Sequence, residues 1–96
     1  MNKADLNKQV DALLARVEGL HFSDYNKQIA LFDDYMRLVQ EYRQYFNQHT
    51  TDQSYEIKND FDYAKKRNST IHFNSAVSGL RQEIRSLKSN TLPEWE

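Results

Sequence analysis

What most limits the folding of this chain lies between Tyr25 and Phe46, where two apolar stripes interleave at helical spacing. One runs through Tyr25, Ile29, Phe32, Met36, Val39 and Phe46, the other through Leu31, Tyr35, Leu38, Tyr42 and Tyr45. Members of a stripe recur by threes and fours or their sum, so each stripe follows one line along an α-helix. At 100° per residue the two together cover an arc of roughly 200°, about twice what one packing partner requires. Such a helix must be sandwiched between at least two neighbours. Asp33, Asp34, Arg37, Gln40, Glu41, Arg43, Gln44, Asn47 and Gln48 fill the remaining arc and keep that side in water.

The neighbours come from the same domain, because 96 residues make a single core that buries about two thirds of the surface exposed by the unfolded chain. Helix 1 is predicted from Lys3 to Glu18, with Leu6, Val10, Leu13, Leu14 and Val17 on one face and Gly19 taking the left-handed conformation that ends it. Ser23 or Asp24 caps helix 2, which is expected to continue to Asn47 or Gln48. The run Gln48 to Ser54 has no apolar residue and reads as a turn followed by a cap. Beyond it, Tyr55, Ile57, Phe61 and Ala64 share one helical face, whereas Phe73, Val77, Leu80, Ile84 and Leu87 lie on another, rotated by roughly 150° if the helix is continuous. The third helix is therefore kinked or broken near residues 67–70, within the polar run Lys65 to Thr70. A rival reading pairs 61–64 with 70–73 as a hairpin, since Phe61/Tyr63 and Ile71/Phe73 alternate, but no glycine-containing turn supports it. The final helical stretch spans about Ser75 to Ser89 and tolerates Gly79; residues 90–96 form a tail whose Trp95 docks on the bundle or reaches a partner. The expected fold is all-α, a small antiparallel bundle of three helices in one domain over 1–96.

Several chemistries are excluded. There is no cysteine, which removes disulfides, thiolate metal sites and thiol catalysis. No Gly-x-Ser-x-Gly elbow is present, and Gly19 and Gly79 stand alone, so neither a hydrolase nucleophile nor a phosphate loop is encoded. Glu18 and His21 have the Glu-x-x-His spacing of carboxylate-bridged di-iron bundles, but that centre needs the pair twice and two further glutamates. His21, His49 and His72 read as a surface, a loop and a partly buried histidine. No cofactor, metal or enzymatic activity is expected. The first residues lack a basic segment followed by an apolar run, and nowhere are 18 apolar residues consecutive, so the expectation is a soluble, cytoplasmic protein without membrane attachment.

Charge is unevenly spread. Through Ala64 there are seven basic and eleven acidic residues, a net of −4, whereas Lys65 to Lys88 holds six basic and one acidic, a net of +5. Arg81, Arg85 and Lys88 form a basic ridge on the last helix. With Lys65, Lys66 and Arg67 they offer a nucleic acid a row of cations, yet no aromatic platform or paired short helices accompany them. Acidic residues of the earlier helices, or of a second subunit, are the better match. Tyr35, Tyr42 and Tyr45 occupy a stripe where an internal seam more often carries Leu or Ile, and tyrosine is enriched where protein surfaces meet. The sequence thus favours a protein that binds another protein through Tyr35, Tyr42 and Tyr45, rimmed by Arg81, Arg85 and Lys88, as an adaptor, inhibitor or regulatory subunit, with a homodimer satisfying both the wide apolar arc and the opposite charges. A nucleic-acid-associated role for residues 65–88 is the alternative.

Overall fold

The computed structural model describes residues 3–21 and 24–92. Four helices run α1 (Lys3–Gly19), α2 (Tyr25–Glu41), α3 (Gln48–Arg67) and α4 (Thr70–Ser86), with short 3₁₀ turns at Arg43–Tyr45 and Leu87–Asn90. The chain is all-α, as expected, but the bundle has four helices rather than three.

The count changes at Asn68. There the backbone turns left-handed (φ 50°, ψ 47°), a conformation asparagine tolerates better than other residues with a side chain. The Ser69 amide donates to the Ala64 carbonyl at 3.0 Å and the Asn68 amide to that of Lys65 at 3.2 Å, the two bonds of a Schellman cap. Ser69 then starts the next helix at once, its Oγ accepting from the His72 amide at 3.3 Å. Two residues reverse the chain completely. Neither a kink nor a hairpin forms, and 61–73 is helix on both sides of the turn.

Helix 2 is shorter than its apolar period. The period continues through Tyr42, Tyr45 and Phe46, but α2 ends at Glu41, a 3₁₀ turn follows, and Phe46 is extended. Asn47 caps α3 by accepting from the Thr50 amide at 3.1 Å, so the run from Gln48 to Ser54 is the first two turns of a helix instead of a loop. Thr50, Thr51 and Ser54 are buried there; Ser54 Oγ donates to the Thr51 carbonyl at 2.7 Å, which lets a polar side chain enter the core without an orphaned donor. Gly19 also differs from expectation: it lies within α1 and no described glycine has positive φ.

Contacts between elements fix the order. Gln9 Nε2 donates to the Tyr42 hydroxyl at 2.9 Å and Arg16 pairs with Asp34, so α2 runs antiparallel to α1. Phe32 meets Phe61 across α2 and α3, and Tyr63 meets His72 across α3 and α4, again antiparallel. Arg85 at the end of α4 and Lys88 in the 3₁₀ turn after it face Glu18 and Asp11 of α1 and close the ring. This is an up-down-up-down bundle. Its core holds Leu6, Val10, Leu13 and Val17 from α1, Leu31, Tyr35, Leu38 and Val39 from α2, Ile57 and Phe61 from α3, and Val77, Leu80 and Ile84 from α4. Residues 90–92 pair with the segment after α2: the Asn47 amide donates to the Asn90 carbonyl at 2.9 Å and the Leu92 amide to that of Tyr45 at 2.8 Å. Trp95 lies outside the described residues. No described helix is long and apolar enough to cross a membrane.

Candidate aromatic groove

Of the residues singled out from the sequence, the tyrosines are packed within the chain and the cations Arg81, Arg85 and Lys88 pair with other parts of it. Tyr35, Tyr42 and Tyr45 are 0%, 2% and 5% exposed, so the expected tyrosine surface is not a surface. The physical reason is that their stripe faces α1 and α4: Tyr42 receives Gln9 of α1, its ring lies 5.8 Å from that of Tyr45, and Tyr35 sits beside Glu83 of α4. A tyrosine seam can be internal when its hydroxyls find places at the helix junctions. The basic ridge lies at the surface but finds partners within the chain. Arg81 donates to the Leu20 carbonyl at the end of α1 (3.3 Å), Arg85 lies 3.5 Å from Glu18, and Lys88 pairs with Asp11. Arg85 and Lys88 thus pair with α1 while staying about half exposed, and Lys65, Lys66 and Arg67 are exposed in the last turn of α3.

On α2 the uncovered apolar surface belongs to the other stripe, while Tyr55, Tyr63 and Ile71 are exposed on α3 and α4. Val39 and Phe46 are buried, Phe32 and Met36 are partly so, and Tyr25 and Ile29 at the start of α2 are each 43% exposed. Because α3 turns back at Asn68, its last turns and the first turn of α4 stand beside this end of α2 without covering it. The result is an open groove of about 450 Å³ lined by Tyr25, Ile29, Phe32, Phe61 and Phe73, with Ala64 and the Asn68–Thr70 corner at its end. Its aromatic rings support one another: Tyr25 and Phe73 meet edge to face at 4.7 Å, Phe61 and Phe73 at 5.4 Å, and Phe32 and Phe61 at 4.7 Å. Such contacts hold the floor in one shape. Asp33 rises on the α2 wall, Asp62 and Lys65 on the α3 wall. Asp62 is engaged by Lys58 at 2.9 Å. Asp33 and Lys65 have no ion-pair partner among the described residues. The groove can therefore take large apolar side chains and read opposite charges on its two sides.

A separate polar cluster reaches from the core to the surface at His49. Glu83 has a side chain only 12% exposed, with His49 Nε2 at 3.7 Å from its Oε1. Burial raises its carboxyl above the usual carboxylate value, an effect opposed by His49. Burial, and secondarily Glu83, push the Tyr35 phenol well above its ordinary range. The Tyr35 hydroxyl and Glu83 Oε1 have no hydrogen-bond partner among the described residues. These groups do not line the groove. Among the described residues, no three His, Asp or Glu side chains are placed to hold a metal ion.

The groove had a sequence signal, the surplus of the Tyr25–Ile29–Phe32 edge over the arc that one neighbour covers, but locating it required knowing that α3 reverses at Asn68. Comparison with known proteins finds no matching family model, curated protein or solved structure.

Proposed function

We propose that this chain acts without catalysis, by holding another polypeptide in the aromatic groove, as an adaptor, inhibitor or regulatory subunit in the cytoplasm. The observation that carries the reading is the exposure of Tyr25 and Ile29 above a floor of packed phenylalanine rings. Covering apolar surface is favourable by roughly 25 cal/mol per Å², and a fixed aromatic floor adds little ordering cost when a segment lands on it. The groove is open along its length and its polar groups stand at the walls, which suits a chain segment carrying one or two large apolar side chains better than a small polar substrate. The absence of cysteine fits a reducing compartment.

The test places a photo-crosslinking residue at Ile29 and, as a control, at Lys8 on the exposed side of α1, in cells that make the protein. A polypeptide adduct specific to position 29 is expected. The purified partner should then bind with an affinity reduced at least about tenfold by Tyr25→Lys, the loss of about 1.4 kcal/mol of apolar burial. Identical adducts from both positions, or none from position 29, would refute the groove as the binding surface.

A further inference from the structure

Resting on the reading of the groove as a polypeptide-binding surface, we infer that the chain it receives in the absence of another partner is a second copy of this protein, docked groove to groove about a two-fold axis. The argument is charge complementarity. Asp33 and Lys65 stand on opposite walls of one apolar groove, both are exposed, and neither has an ion-pair partner among the described residues, whereas Asp62 on the α3 wall is already engaged by Lys58. In an isologous contact, residue i of one copy meets residue j of its mate, and j meets i. A two-fold axis lying in the contact plane, parallel to the groove and midway between its walls, lays the α2 wall of one copy on the α3 wall of the other. Asp33 then faces Lys65 of the mate, twice over. The same operation sets Tyr25 and Ile29 of each copy over the aromatic floor of the other and removes both from water. A surface that carries its own counter-charge on the facing wall is self-complementary, whereas a wall of uniform charge would repel its copy.

The two charges make the geometry separable from any other mode of association. Asp33→Lys places lysine against lysine at both contacts of its homodimer, and Lys65→Asp places aspartate against aspartate. Each should weaken self-association about tenfold in low salt, measured by sedimentation equilibrium, while far-UV circular dichroism confirms an unchanged helix content. Mixed in equal amounts, the two variants restore opposite charges at both contacts, so a heterodimer should form at concentrations where each variant alone is monomeric. The double variant Asp33→Lys/Lys65→Asp should regain wild-type dimerisation. A wild-type chain that remains monomeric to millimolar concentration overturns the inference. So does a dimer that is indifferent to both substitutions, or a mixture with no preference for the heterodimer. If the chain is monomeric but position 29 still crosslinks to a different protein, self-docking fails while the groove reading stands.

Discussion

The reversal at Asn68 gives the sharpest test of the architecture, because the two ways of passing through this residue predict opposite signs for one substitution. Asn68 occupies the left-handed region at φ 50°, where an ordinary L-residue costs about 1–2 kcal/mol and glycine almost nothing. Asparagine is at the favourable end of that range, and glycine also loses more freedom on folding, so Asn68→Gly should stabilise by only about 0.5 kcal/mol. Asn68→Ala should cost about 1 kcal/mol. Asn68→Val should cost about 2 kcal/mol, because a β-branched side chain fits this region worst. For a domain of this size 1 kcal/mol corresponds to roughly 4–8 °C in melting temperature, so glycine and valine variants should be separated by at least about 10 °C. Thermal and urea unfolding followed by circular dichroism measure this directly. A continuous helix kinked through residues 67–70 would hold residue 68 at negative φ; glycine would then cost about 1 kcal/mol and alanine would stabilise. That reversed order would refute the four-helix bundle, and with it the groove that the turn creates.

Three further substitutions test the interior. Gly79 lies within α4 at negative φ, and a Cβ added there would meet Ile57 Cγ1 at an ordinary 3.8 Å, so Gly79→Ala should raise stability by about 1 kcal/mol in urea unfolding; a loss would mean that α3 and α4 approach more closely than described. Tyr35→Phe removes a buried hydroxyl that has no hydrogen-bond partner among the described residues and should leave stability unchanged or raise it by about 1 kcal/mol, whereas a loss above about 1 kcal/mol would show that the hydroxyl is bonded. Glu83 has a carboxyl raised above its ordinary 4.5 by burial, with His49 acting in the opposite direction. Between those two values the folded state holds more protons than the unfolded one, so the contribution of Glu83 is fully present below pH 4.5 and falls as pH rises through the raised value. Glu83→Gln should flatten that fall and raise stability at pH 7, as read from urea unfolding across a pH series, while an unchanged pH profile would remove the carboxyl from the core.

Periodicity made the helices legible because apolar side chains report which face is buried. Leu6, Val10, Leu13 and Val17 were read from spacing alone and form the α1 contribution to the core. Where burial uses polar side chains, that signal disappears. Thr50 and Ser54 find side-chain partners close by, at Asn47 Oδ1 and the Thr51 carbonyl, so this helix start carries no apolar signal. The end of α2 failed for the converse reason: Tyr42, Tyr45 and Phe46 keep a helical rhythm although the backbone leaves the α-helix at Glu41. A 3₁₀ turn followed by an extended residue still directs these side chains inward, and side-chain rhythm alone does not distinguish the two backbones.

The burial of Tyr35, Tyr42 and Tyr45 has a related cause: residue type is a poor guide to exposure, which depends on where neighbouring helices end. The Tyr35–Tyr42–Tyr45 stripe runs between α1 and α4, which cover it throughout its length; the Tyr25–Ile29–Phe32 stripe faces α3, whose chain reverses before it can cover the start of α2. The prediction that α2 needs more than one neighbour therefore holds, and α1, α3 and α4 all touch it. The arc was nevertheless wider than these neighbours cover at one end. The opposite charges of the two halves show the same division: those on α1 and α4 neutralise each other along their seam, while Asp33 and Lys65, on α2 and α3, meet no counter-charge within the described chain. In the groove, uncovered apolar side chains and two unpaired charges stand together, and a single contact there would satisfy both.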